Sequence, residues 1–182
     1  MIGMRTVLVI AATSGGMLSG CAIIQRAIPA LTMSDANIVE VLNQIGKDEI
    51  EAGELARQKG ATAEVQAFAG RVVNEHRGFV EKNLRLAQKM DLQLTPPYLA
   101  SSLKQAHEKA MEKLRKKSGP DFDRAYIQYE IAMHVQAVNL VEAAAAESAN
   151  SSLKQHLLQA GPDFLSHLSA ARAVERDLVA QR

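Results

Sequence analysis

Between Asp121 and Glu147 the chain reads DFDRAYIQYEIAMHVQAVNLVEAAAAE, with apolar positions recurring at a helical interval. At about 100° per residue, Phe122, Tyr126, Tyr129, Met133, Ala137, Leu140 and Ala144 line one face. Ala36–Lys59 repeats the pattern with Ile38, Val41, Leu42, Ile45, Ala52 and Ala56, and Gly60 stops it. Ser34 or Asp35 is placed to cap its start. Thr62 is placed to cap a second helix that runs to about Met90, with a stripe of Val65, Phe68, Ala69, Val72, Phe79, Val80 and Ala87. Thr95-Pro96-Pro97 then breaks the pattern, and a more polar helix is expected over 101–117. Gly119-Pro120 separates it from the helix described first, proline being suited to a first helical position. A last helical segment covers 151–179, with a second break expected at Gly161-Pro162 and a stripe of Phe164, Leu165, Leu168, Ala171 and Leu178 beyond it.

No segment sustains the alternation of a strand. The pattern predicts an all-α chain, with four long helices around one core. The connection from Asp91 to Pro120 is long enough to cross the bundle and carries the extra short helix. One such crossover is the ferritin-like topology of a four-helix bundle. SSLKQ recurs at 101–105 and 151–155, and GPDF at 119–122 and 161–164. The unequal intervals of the two echoes argue against a rigid repeat. They read as shared punctuation, a serine cap and a Gly-Pro break used twice.

The stripes are interrupted by polar residues where a core would be. Glu49 projects into the middle of the first stripe, whereas Glu40, Glu51 and Glu54 lie opposite. His76 stands at the centre of the second. Glu130 and His134, four residues apart and therefore neighbours on a helix, fall within the third. His167 sits on the shoulder of the last, which also contains Glu175. His107 and His156 read as residues of solvated faces. Inward carboxylates and imidazoles must be paired, hydrogen-bonded or ligated, because a bare polar group in an apolar core is costly.

Composition narrows the classes. Hydrophobic residues make up 47% but aromatics only 4%, so the core leans on alanine and leucine, both good helix formers. A formal charge of +1 with interspersed signs offers no footprint for nucleic acid. The basic cluster KLRKK at 113–117 closes a helix, where cations suit the dipole. The motifs of P-loop, dinucleotide-binding and H-E-x-x-H metalloprotease sites are absent.

At the start of the chain, Arg5 precedes the apolar run Val7–Ala12 and then Leu18-Ser19-Gly20-Cys21. This order has the form of an export signal, too short in its apolar part to span a membrane. LSGC resembles the lipobox of bacterial lipoproteins, in which a cysteine thiol accepts a diacylglyceryl group. Cys21 is the one cysteine, which excludes an internal disulfide. The expected organisation is a signal peptide over 1–20, a lipid-anchored tether over 21–34 and a helical domain over 35–182. The expected location is the periplasmic side of the cell envelope. Ala22 after the cysteine favours the outer membrane by resemblance to enterobacterial sorting.

Four segments, EIEAGELA at 49–56, VQAFAGRVVNEH at 65–76, GPDFDRAYIQYEIAMH at 119–134 and GPDFLSHLSAA at 161–171, carry a family resemblance in their order and spacing. Over about Ile38–Val174 the chain resembles domain-of-unknown-function family 4142, exported bacterial proteins described as ferritin-like bundles. The resemblance implies a glutamate at Glu49 and histidines at His76, His134 and His167. At Glu130 the family often has glutamine. No reaction is implied.

Two functions remain open from these residues. The leading one is a non-enzymatic, lipid-anchored helical bundle with a structural or stress-related role, its inward residues forming a polar network and its membrane contact running through Cys21. The alternative is a metal-binding protein of metal or oxidative stress, with iron or another transition metal on Glu49, His76, Glu130, His134 and His167. The Glu-x-x-His spacing of di-iron carboxylate bundles is not met, because Val73, Ile131 and Phe164 stand three residues before the histidines. A third possibility, an adaptor using the helix at 101–117 to bind another protein, rests on a charged amphipathic surface alone.

Overall fold

The computed structural model describes residues 33–180, so the expected signal peptide, Cys21 and all of the expected tether but Met33 and Ser34 lie outside the described residues. Five helices and no strand form there: α1 (Asp35–Lys59), α2 (Ala63–Lys89), α3 (Tyr98–Arg115), α4 (Gly119–Glu147) and α5 (Ser151–Ala180). None of them is long and apolar enough to cross a membrane.

The ends follow the local chemistry. Ser34 caps α1 by accepting from the Asn37 N–H at 3.2 Å. Thr62 caps α2, and the chain between them is clamped by a buried carboxylate on α4. Asp123 accepts from the backbone N–H groups of Ala61 and Thr62 at 2.8 and 2.9 Å, and from the Thr62 hydroxyl at 3.0 Å. Asn150 caps α5, its side-chain oxygen accepting from the N–H groups of Ser152 and Leu153.

Three expectations are corrected. The second Gly-Pro pair does not break the last helix, because Pro162 lies inside a continuous α5. Pro162 is exposed, and the carbonyl it leaves without a helical partner belongs to Leu158, 61% exposed, on the water-facing side of the helix. The echoes are therefore not shared punctuation. GPDF opens α4 but lies inside α5, and SSLKQ opens α5 but lies inside α3. Leu165, expected on the core stripe of α5, is 48% exposed.

The helix directions follow from which residues meet. Gly46 faces Phe79 and Val80, and Gly53 faces Val73 and Ala69, so α2 runs antiparallel to α1. Glu51 pairs with His107, and Lys59 with the Arg115 carbonyl, so α3 runs parallel to α1. Lys59 lies over Phe122, while Glu49 meets His134, so α4 runs back along α1, parallel to α2. Arg71 meets Ser166, and Phe79 meets Phe164, so α5 is antiparallel to α2. In this square of four, α1 and α5 each neighbour both α2 and α4, and α3 packs outside against α1 and α4.

The core is divided in two. One apolar cluster holds Leu42, Ile45, Met133, Leu157 and Phe164; the other holds Ala52, Val72, Phe122, Tyr126, Ile127 and Ala171. Between them each helix of the square passes through a polar layer. Glu49, His76, Glu130, His134 and His167, on α1, α2, α4, α4 and α5, are all at least 98% buried.

Candidate metal centre

Helical spacing sets this layer. Glu49 follows Ile45 by four residues and precedes Ala52 by three, so it shares their inward face. His76, His134 and His167 occupy the corresponding inward turns of α2, α4 and α5. Close backbone approach at two glycines brings α1 onto α2. A Cβ at Gly46 would meet Val80 Cγ2 at 2.6 Å, and one at Gly53 would meet Val73 Cγ2 at 2.7 Å. That approach lets the short reach of Glu49 span to His76.

All five candidate residues meet. Glu49 Oε2 lies 2.9 Å from His76 Nε2, and Glu49 Oε1 lies 3.1 Å from His134 Nδ1. Glu130 Oε2 is 3.5 Å from the same His134 nitrogen. The three imidazole centroids are mutually 5.1–5.5 Å apart. One nitrogen from each of His76, His134 and His167 lies within 4.8 Å of one from each of the others, and a second triad of Glu49, Glu130 and His134 meets the same limit.

The protons can be assigned at two of the rings. His134 Nδ1 lies 2.9 Å from the Glu130 backbone carbonyl, which only accepts. His134 therefore carries its proton on Nδ1 and presents a lone pair at Nε2, which has no partner. His167 Nε2 lies 2.6 Å from Glu75 Oε2. Burial acts to raise the Glu75 carboxyl, but hydrogen bonds from Arg71 and His167 outweigh it and hold the group below its ordinary value. The ionised carboxylate accepts from His167 Nε2–H, leaving a buried, unpartnered lone pair on Nδ1. On His76 neither nitrogen makes a hydrogen bond, because its approach to Glu49 is close but not aligned.

The electrostatics keep these lone pairs available. Burial, with repulsion from His134 and His76, pushes His167 down to about 4, and burial also lowers His134. Burial acts to raise the Glu49 carboxyl, but His134 and His76 outweigh it, so Glu49 is the anion of the layer. Burial and the neighbouring Glu49 charge push Glu130 well above the ordinary carboxylate range. The Glu49 carboxylate faces His134 and His167, both held toward the neutral form, at the centre of an apolar bundle. A cation bound to the nitrogens would balance it.

The donor set fits a metal. Imidazoles backed on their other nitrogen by a carboxylate or a carbonyl are the usual form of histidine ligands. Late first-row divalent ions take such nitrogen donors at about 2.0–2.1 Å, so binding would draw the three rings together.

Other polar residues fall elsewhere. His107 is not on a solvated face: it is 3% exposed and joins Tyr129 Oη at 2.8 Å and Glu51 Oε2 at 3.2 Å, fastening α3 to α1 and α4. His156 is half-buried, stacked on Phe79 and bonded to Asn83. Glu175 is half-buried and outside the cluster. Glu75 was missed as part of the site. It precedes His76, outside the apolar arc, and pairs with Arg71 like any surface i,i+4 residue. Asp48 was missed too: it is 3% exposed beside Gln44 and raised to about 6 by burial.

The sequence matches the family described as Domain of unknown function (DUF4142) over residues 24–174. No curated protein and no solved structure matches it.

Proposed function

The chain belongs to the DUF4142 family, and we propose that it is a metal-binding helical bundle of the bacterial cell envelope. His76, His134 and His167 hold one late first-row transition-metal ion, with Glu49, Glu75 and the Glu130 carbonyl supporting the rings. The observation that carries this reading is the set of unpartnered imidazole nitrogens, one or more on each of three buried rings from three helices. Nitrogen donors favour ions such as Zn²⁺, Co²⁺, Ni²⁺ or Cu²⁺ over Mg²⁺ or Ca²⁺, which select oxygen. A ferritin-like topology is supported by α2 and α4 running parallel, joined by a crossover that carries α3. Departure from the Glu-x-x-His pattern argues for a histidine-rich centre in place of a di-iron carboxylate one.

The anchor rests on LSGC at 18–21. Cys21 would carry the acyl chains, several of which hold a protein stably at a membrane. Replacing Cys21 with Ala is expected to move the protein from the membrane to the soluble fraction; unchanged membrane association contradicts the anchor.

A second reading is favoured by the position of Glu49 between His76 and His134. In it the layer is a closed polar network that specifies helix register, and the protein is non-enzymatic and metal-free. Elemental analysis after purification without chelator separates the two. About one equivalent of metal, lost in His76→Ala and His134→Ala, supports the centre. No uptake of added Zn²⁺ or Co²⁺ supports the network.

A further inference from the structure

His134 and His167 each have a backed side and a bare side. Glu49 and Glu130 approach His134 at Nδ1, whereas its unpartnered nitrogen is Nε2. The two nitrogens of an imidazole diverge, so an ion on Nε2 has both carboxylates across the ring from it. Glu75 is likewise on Nε2 of His167, away from the bare Nδ1. At His134 and His167 the carboxylates therefore lie across the ring from the bare nitrogen, while Glu49 also approaches His76 Nε2 at 2.9 Å.

The square of helices also has a closed and an open side. Toward α1 and α4, Glu49, Glu130 and His134 are fully buried. Toward α2 and α5 a narrow cleft reaches His76 and His167 from the surface, with Glu75 and Asp163 at its mouth. Phe79, Ala160 and Phe164 wall it, and Phe164 lies 5.5 Å from the His76 ring. Its volume is about 20 Å³. One water needs about 10–15 Å³ measured in this way, so the cleft admits one water or the end of a slender molecule that extends out through the mouth.

From this the geometry points to an open coordination position: a metal on the three imidazoles takes its fourth ligand through the α2–α5 cleft. That ligand is water, hydroxide or a small neutral or singly charged molecule such as azide or peroxide. The inference rests on the metal-centre reading above. Three protein ligands plus an exchangeable position distinguish reactive zinc-type sites from closed structural ones. The aromatic walls exclude bulkier molecules, and the carboxylates at the mouth disfavour multiply charged anions such as phosphate.

The test is visible absorption of the full chain loaded with Co²⁺ and titrated with azide, then with inorganic phosphate. Azide is expected to shift the cobalt bands and phosphate to leave them unchanged. Ala160→Leu, which fills the cleft, is expected to keep the bound cobalt and lose the azide shift. One bound cobalt with no response to azide in the wild type overturns the open position. So does an azide response that appears only in Glu49→Gln, because Glu49 would then be the fourth ligand. Absence of bound cobalt sinks the metal centre and the open position together, which separates that failure from the other two.

Discussion

At the scale of single residues, Glu75 supports the layer from the surface, and Asp48 is a buried carboxyl outside it. Glu75 is a surface carboxylate whose Oε2 fixes the His167 proton, so its effect is on ligand orientation and not on the fold. Glu75→Gln is expected to weaken Zn²⁺ affinity by about 10–100-fold in competition with a fluorescent chelator, with little change in urea stability. Unchanged affinity would remove Glu75 from the centre. Asp48 is raised from 3.8 to about 6, chiefly by burial. The folded state thus binds its proton more tightly than the unfolded state does. This contribution is complete below the unfolded value and is lost as pH rises toward 6, at a cost on the order of 2–3 kcal/mol. His167, depressed to about 4, has the opposite sign over an overlapping range, stability rising with pH. The two partly cancel in the wild type. Metal-free Asp48→Asn removes the falling contribution and keeps the rise, so the change of urea stability with pH between about 4 and 6 is expected to be more positive than in the wild type. An unchanged slope contradicts the assignment. Glu49, His76, Glu130, His134 and His167 were legible because each interrupts an apolar stripe. Glu75 was not, because its partner lies on another helix, and neither was His107, which α3 buries from outside.

At the scale of elements, the bundle depends on how α1, α2 and α4 are joined. Asp123 ties the α1–α2 link to α4 through three hydrogen bonds from within the core. Asp123→Ala leaves two backbone N–H groups without that acceptor and is expected to cost about 2–4 kcal/mol, read from chemical denaturation. A cost near zero would mean that water replaces the carboxylate. Gly53→Ala sets two effects against each other. Alanine favours the helix by about 1 kcal/mol, but its Cβ would meet Val73 Cγ2 at 2.7 Å and the Ala69 backbone oxygen at 3.3 Å. Backbone cannot yield as a side chain can, so a net loss of about 1–2 kcal/mol is expected. A more stable variant would show that α1 and α2 separate freely. The ends of α1, α2 and α4 could be read from Ser34, Thr62 and Gly119-Pro120. The course of α5 could not, because the cost of an internal proline depends on whether the stranded carbonyl faces water, and that is decided by neighbouring helices.

At the scale of the molecule, a polar waist separates two apolar halves, and both the helix count and the apolar faces of those halves were legible in the periodicity. Convergence of the waist was not, since stripes on separate helices do not set the register between them. That register comes from the close approach at Gly46 and Gly53 and from the clamp at Asp123. The waist is expensive when bare, and an ion that binds only the folded chain stabilises it by mass action, about 2.7 kcal/mol at a hundredfold excess over Kd. The most direct measurement is calorimetric titration of the metal-free chain with Zn²⁺, beside a variant with His76, His134 and His167 all replaced by Ala. The account predicts one equivalent bound by the wild type, a raised Tm, and neither effect in the variant. Equal binding by both chains, or by neither, would contradict it.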